Sequence, residues 1–266
     1  MYSWFLPTHN KKIRSIVMEN LQRIAVLIDA DNTQIGKLEK VMREISTYGR
    51  IVVRRAYGNW KKDNLKNWED ELKRLAIKAV QQFDYVSGKN ATDMAMVIDA
   101  VDLLHTGIYD AFVIVASDSD YTPIAIKLRE SAVHIIGVGE KKTPEAFRNA
   151  CDEFIYLENL SSETQQLTAE NEEVVKSEDS SNSGIDEIHS LLKMAYEKYQ
   201  DDEGYAHVSS AGIFIKRAKP DFDSRTYGYL KLTDLLKAYP QKYHIERDKG
   251  KGTVPIVTYR CLEDES

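Results

Sequence analysis

The sequence predicts an α/β protein: a doubly wound parallel sheet with helices on both faces, followed by a small α+β domain. Two observations carry this prediction. Over residues 22–160, apolar β-branched runs alternate with amphipathic segments, and the runs are apolar throughout rather than at every second residue. Strands buried on both faces need that pattern. After residue 184 the order changes to three helix-like segments followed by two strand-like ones.

Taken in order, RIAVLID (23–29) reads as a strand and is followed by a helical pattern through about Thr47. IVVRRAY (51–57) is the second strand, and a charged amphipathic helix follows across Asn64 to Gln81. FDYV (83–86) is a short third strand. ATDMAMVIDAVDLL (91–104) is a helix whose spacing places Met94, Val97, Val101 and Leu104 on one face. FVIVAS is a strand, YTPIAIKLRES a helix, VHIIGVG a strand, PEAFRNACD a helix opened by proline, and FIYL a last strand.

Residues 161–184, SSETQQLTAENEEVVKSEDSSNSG, are acidic and poor in aromatics. Such a segment buries too little apolar area to offset its ordering entropy, so it reads as a flexible linker. A chain of that length spans roughly 25–30 Å, which predicts two domains that tumble semi-independently. Beyond it, residues 185–262 carry helices over IDEIHSLLKMAYEKY, SSAGIFIKRA and TYGYLKLTDLLKAY, then a hairpin over KYHIERDKGKGTVPIVTYR. Three short helices and a hairpin form the pattern of a winged helix. Residues 263–266 are an acidic tail.

The composition narrows the classes of function. No apolar run approaches the roughly 20 residues that cross a bilayer. Residues 1–21 read as a leader without an apolar stretch of signal-peptide length, with Met18 an alternative start. The two cysteines, Cys151 and Cys261, are far apart in sequence and form no CxxC pair, which argues against structural zinc. They read as reduced thiols of a cytoplasmic protein. The net charge of −6 is concentrated in residues 161–184 and 263–265, so it does not argue against a nucleic-acid partner.

The chemistry is suggested by VIVASDSDYTPIA (113–125), where a core strand runs into Asp118 and Asp120. Asp29 and Asp31 end the first strand in the same way, and Asp93 opens a helix after the third. Four of them have an ordinary alternative, and Asp29 is harder to dismiss because an unpaired charge at the end of an apolar strand is costly. Asp93, Asp118 and Asp120 can cap helices, and Asp31 can serve a turn. In a doubly wound sheet, however, all lie on the carboxyl edge, where ligands bind. Oxygen donors without His or Cys suit Mg²⁺ or Mn²⁺.

LIDADN, GKNATDMAMVIDAVD and VIVASDSDYTPI together resemble the signatures of NYN domains, a PIN-like nuclease group that includes LabA-like proteins. The resemblance implies a PIN-like doubly wound fold over 22–160 and Mg²⁺- or Mn²⁺-dependent RNA cleavage. Carried over by motif, Asp29, Asn32, Asp93, Asp118 and Asp120 are the catalytic set, with the four aspartates as metal ligands. Lys89, in the loop before Asp93, either faces a phosphate or stands solvated. RTYGYLKLTDLL (225–236) and the hairpin resemble an OST-HTH (LOTUS) domain, which implies binding of RNA or of a protein partner. In that domain Arg247, Lys249 and Lys251 are candidate phosphate contacts at the hairpin tip, and Tyr227 and Tyr229 candidate stacking faces. RNA is the expected ligand of both domains, and a second copy of the chain is a further candidate partner.

Two rival readings remain open at this point. Asp29-Ala30-Asp31-Asn32-Thr33 also fits the DxDx[TV] motif of haloacid-dehalogenase-like phosphatases, although IVVRRAY supplies no Ser or Thr to hold a phosphoryl group. The other rival is an adaptor that keeps the nuclease fold and binds RNA but cuts it poorly.

Overall fold

The computed structural model describes residues 21–85, 90–160, 181–248 and 256–262. The first domain is a parallel six-stranded sheet: β1 Leu21–Asp29, β2 Gly49–Gly58, β3 Lys78–Gln81, β4 Ala111–Val115, β5 His134–Gly139 and β6 Glu153–Tyr156. The strands lie in the order β3-β2-β1-β4-β5-β6. Helices α1 (Leu38–Ser46), α2 (Trp68–Arg74), α3 (Ala91–His105), α4 (Thr122–Glu130) and α5 (Glu145–Ala150) cover it. Alternate residues of a strand face opposite ways. Ile24, Val26 and Ile28 therefore join the core that contains Val41 of α1 and Trp68 of α2, while Ala25 and Leu27 join the one that contains Met96, Leu128 and Phe147. A strand packed on both sides explains why RIAVLID shows no polar alternation.

Two local expectations are corrected. The helix expected through Gln81 ends at Arg74; Ala76 turns the chain at φ 51°, and Lys78–Gln81 pairs with β2. The third strand thus precedes FDYV instead of lying on it, because pairing with an exposed sheet edge satisfies backbone groups that a further helical turn would also have used. The inner face of α3 is also rotated from the expected one. Thr92, Met96, Ala100 and Leu103 are buried, Val97, Val101 and Leu104 flank them, and Met94 is 57% exposed.

The second domain consists of α6 (Ser181–Tyr199), β7 (Ala206–His207), α7 (Val208–Ala218), α8 (Leu232–Ala238) and the hairpin β8 (Tyr243–Asp248) and β9 (Ile256–Cys261). Its small sheet has the order β7-β9-β8. Ile188, Leu192, Ile215, Leu235, Leu236 and Tyr259 form its core. The third helix is shorter than expected. Residues Ser224–Tyr227 form a 3-10 turn stopped by Gly228 at φ 84°, and α8 begins at Leu232.

The expectation of semi-independent domains is also corrected, because the second domain is seated on the β6 edge of the sheet. The Phe154 N–H donates to the Pro220 carbonyl at 2.8 Å, which occupies an edge-strand donor. Asp221 accepts hydrogen bonds from Arg148 at 2.5 Å and from Tyr156 at 2.6 Å. Lys216 pairs with Glu153, Asn159 donates to Thr226 at 2.9 Å, and Arg225 reaches Glu44 at 3.5 Å. Linker composition carried no information about this contact, since these charged residues look like any solvated ones in sequence.

Candidate active site

The carboxyl ends of β1 and β4 adjoin, with Ile28 paired to Val115, at the point where strand order reverses. Asp29 is fully buried as the last residue of β1. Its carboxylate accepts from the Asp31 N–H at 3.1 Å and from the Asn32 amide at 2.9 Å. Asp93 sits in the first turn of α3 and accepts from the buried Tyr121 hydroxyl at 2.6 Å. Asp118 caps the 3-10 turn after β4 by accepting from the Asp120 N–H at 3.1 Å, and the Asn90 amide binds Asp120.

These acids act on one another. Burial raises the pKa of Asp29, and although the Asn32 hydrogen bond opposes this, the charges of Asp93 and Asp31 add to it; the result is about 6. Burial also raises Asp93, and its Tyr121 hydrogen bond works against the charges of Asp118, Asp120 and Asp31. Burial and the adjoining carboxylates push the Tyr121 hydroxyl far up, so it stays a proton donor to the acids. Like charges gathered around one buried carboxylate favour a positive charge beside it.

Asp29, Asp93, Asp118 and Asp120 are therefore coupled in one electrostatic cluster, Asp29 to Asp93 and Asp93 to Asp118 and Asp120. They do not form a closed cage: among the described residues no three His, Cys, Asp or Glu side chains are close enough to hold an ion by themselves. An open, oxygen-only arrangement still fits a hard ion such as Mg²⁺, which keeps several waters and uses one or two carboxylates with substrate phosphate. Asn32, expected in the catalytic set, joins the cluster through the hydrogen bond its amide donates to Asp29.

Three members of the site escaped the sequence reading. Tyr121 bridges toward Asp93, and the only signal was its place directly after the acids in SDSDY. Thr92 donates to Asp31 at 2.9 Å, and Lys62 reaches both Asp31 and Asp84 at 3.3 Å. Lys62 gave no signal, because it comes from the loop after β2. Of the remaining candidates, Lys89, Lys249 and Lys251 lie outside the described residues. Arg247 is exposed near the end of β8. Tyr227 and Tyr229 are half-buried and pack against the core of the second domain.

The NYN domain profile matches residues 23–158, which includes every acid of this cluster. The chain belongs to the NYN domain family. An OST-HTH/LOTUS domain matches residues 181–255. NYN domains are PIN-like nucleases that generally use divalent metal ions, and OST-HTH domains interact with RNA, so the pairing supports a nuclease or RNA-binding role. Comparison with curated proteins gives no match. Among solved structures, the chain is similar to a protein of unknown function from Vibrio parahaemolyticus, at 14% identity and TM-score 0.44 over 52% of this chain and 94% of that one. It is also similar to an uncharacterized protein from Nitrosomonas europaea, at 27% identity and TM-score 0.29 over 37% of this chain and 87% of that one. No helix among the described residues is long and apolar enough to cross a membrane.

Proposed function

We propose that this protein is a Mg²⁺- or Mn²⁺-dependent endoribonuclease in RNA processing or turnover, whose OST-HTH domain holds RNA or a protein partner. The observation that carries the reading is the buried Asp29 carboxylate at the switch point of the sheet, pushed up to about 6 by burial and by the charges of Asp93 and Asp31, with Asp118 and Asp120 acting in turn on Asp93. Asp29, Asp93, Asp118 and Asp120 would hold the ion, with Asn32 and Tyr121 orienting the carboxylates. A divalent ion supplies a nucleophilic water at neutral pH and offsets phosphate charge. Lys62 stands at the rim on Asp31, where its ammonium can exchange a carboxylate for an incoming phosphate.

The test is the full chain with labelled RNA, in Mn²⁺ and in EDTA, beside Asp118→Asn. Cleavage is expected only with the metal. The variant should lose more than about 100-fold in rate, beyond what the loss of an outer-shell partner costs. Full activity in EDTA sinks the metal mechanism, and full activity in the variant removes Asp118 from it. RNA that is bound but never cut would identify the adaptor.

A further inference from the structure

A groove of about 580 Å³ runs alongside the acid cluster, between the segment after β3 and the outer face of α3. Asn90 stands at one end and donates to Asp120 in the cluster. From there the floor is Ala91, Met94, Ala95 and Ile98, and Tyr85 forms a wall. Tyr85 is 87% exposed, and Met94 and Ile98 are each 57% exposed. Phe83, two residues before Tyr85, is 53% exposed and has the Lys61 ammonium over its ring at 5.2 Å. Between the two aromatics, Asp84 accepts from Asn59 at 3.2 Å and pairs with Lys62, which also reaches Asp31. The aromatic segment is thus tied into the acid cluster from one side, and the groove floor meets it from the other.

We propose that this groove is a stacking subsite for an unpaired base of the RNA strand whose backbone lies at the acid cluster. The inference rests on the ribonuclease reading above and adds a base-binding subsite beside it. An apolar slot walled by a free tyrosine suits a π-face, and stacking accepts any base. Lys61 and Lys62 place ammonium groups beside the aromatics, which suits a backbone carrying phosphates. A base within a duplex keeps its faces against its neighbours and has none free to stack on Tyr85. A protein partner is the poorer occupant: seven residues line the groove, whereas a stable interface uses about 20–30 a side.

The experiment uses the full chain with an octaribonucleotide carrying 2-aminopurine, in Ca²⁺ for binding and in Mn²⁺ for cleavage. The parent should quench the 2-aminopurine fluorescence of the single strand and leave that of a 12-base-pair duplex unchanged. Tyr85→Ala should lose most of the quench and weaken single-strand binding about tenfold, while Tyr85→Phe keeps both. Ile98→Asp, also at an exposed position, should act like Tyr85→Ala. Parent-like binding and quenching by Tyr85→Ala and Ile98→Asp overturns the subsite. A parent dimer in sedimentation that both variants convert to monomer, with RNA binding unchanged, overturns it too and makes the groove a self-association surface. Quenching that depends on Tyr85, with RNA left intact in Mn²⁺, sinks the nuclease reading and not the subsite. Cleavage indifferent to both variants and free of quenching sinks the subsite and not the nuclease.

Discussion

Asp29 and Glu153 are both buried carboxylates at strand ends of one sheet, 0% and 8% exposed, and burial pushes the pKa of each upward. Their surroundings then separate them. Asp29, at the carboxyl end of β1, has Asp93 and Asp31 as charged neighbours and settles at about 6. Glu153, at the amino end of β6, is hydrogen-bonded by His134 and Lys216 and falls to about 2. The Tyr48 hydroxyl also donates to it at 3.1 Å. A carboxylate given cations and donors by the fold is a structural joint, here between the two domains. One given further carboxylates holds its proton more tightly, because each added negative charge favours the neutral form.

The contrast predicts opposite pH slopes of stability in EDTA. Asp29 binds its proton more tightly folded than unfolded, so its contribution is complete below about pH 3.8 and is lost as pH rises toward 6. Glu153 releases its proton more readily when folded, so its contribution is complete above about pH 4.5 and is lost as pH falls toward 2. At about 1.4 kcal/mol per pH unit, each is on the order of 3 kcal/mol. Thermal melts from pH 4 to 7 should show Asp29→Asn more stable than the parent at pH 7 and level with it near pH 4. An Asp29→Asn melt that parallels the parent at every pH removes the repulsion from the account.

The joint itself is open to a second measurement. Glu153→Gln keeps the shape but leaves Lys216 and His134 without their anion, and should cost about 2 kcal/mol while loosening the domain contact. Faster protease cutting within residues 161–184 of the variant reports the loosening. Unchanged cutting with a lower melting point would place Glu153 in the first domain's stability alone. The smallest effect is expected at the partly exposed Arg225–Glu44 pair, where Glu44→Gln should change stability by no more than about 1 kcal/mol. A larger loss would mean that this pair, and not Glu153, anchors the second domain.

Most of the sheet and the acid cluster was legible in the sequence. Apolar runs longer than an alternating strand can only be buried on both faces, which makes the sheet parallel, and acids at the ends of such runs must meet on its carboxyl edge. What sequence alone did not show was the phase of α3, the true position of β3, the contribution of Tyr121, Thr92 and Lys62, and the docking of the second domain on β6. Each depends on which partner a group finds across tens of residues. The spacing puts Met94 on the apolar face of α3, yet Met96 is in the core and Met94 lines an open groove. Glu153 and Asp120 are both acids beside a strand, and only the tertiary contacts give one of them Lys216 and His134 and the other Asn90. Periodicity determines which face of an element is apolar, but the charge state and partner of a polar group are set by the few ångströms of space around it.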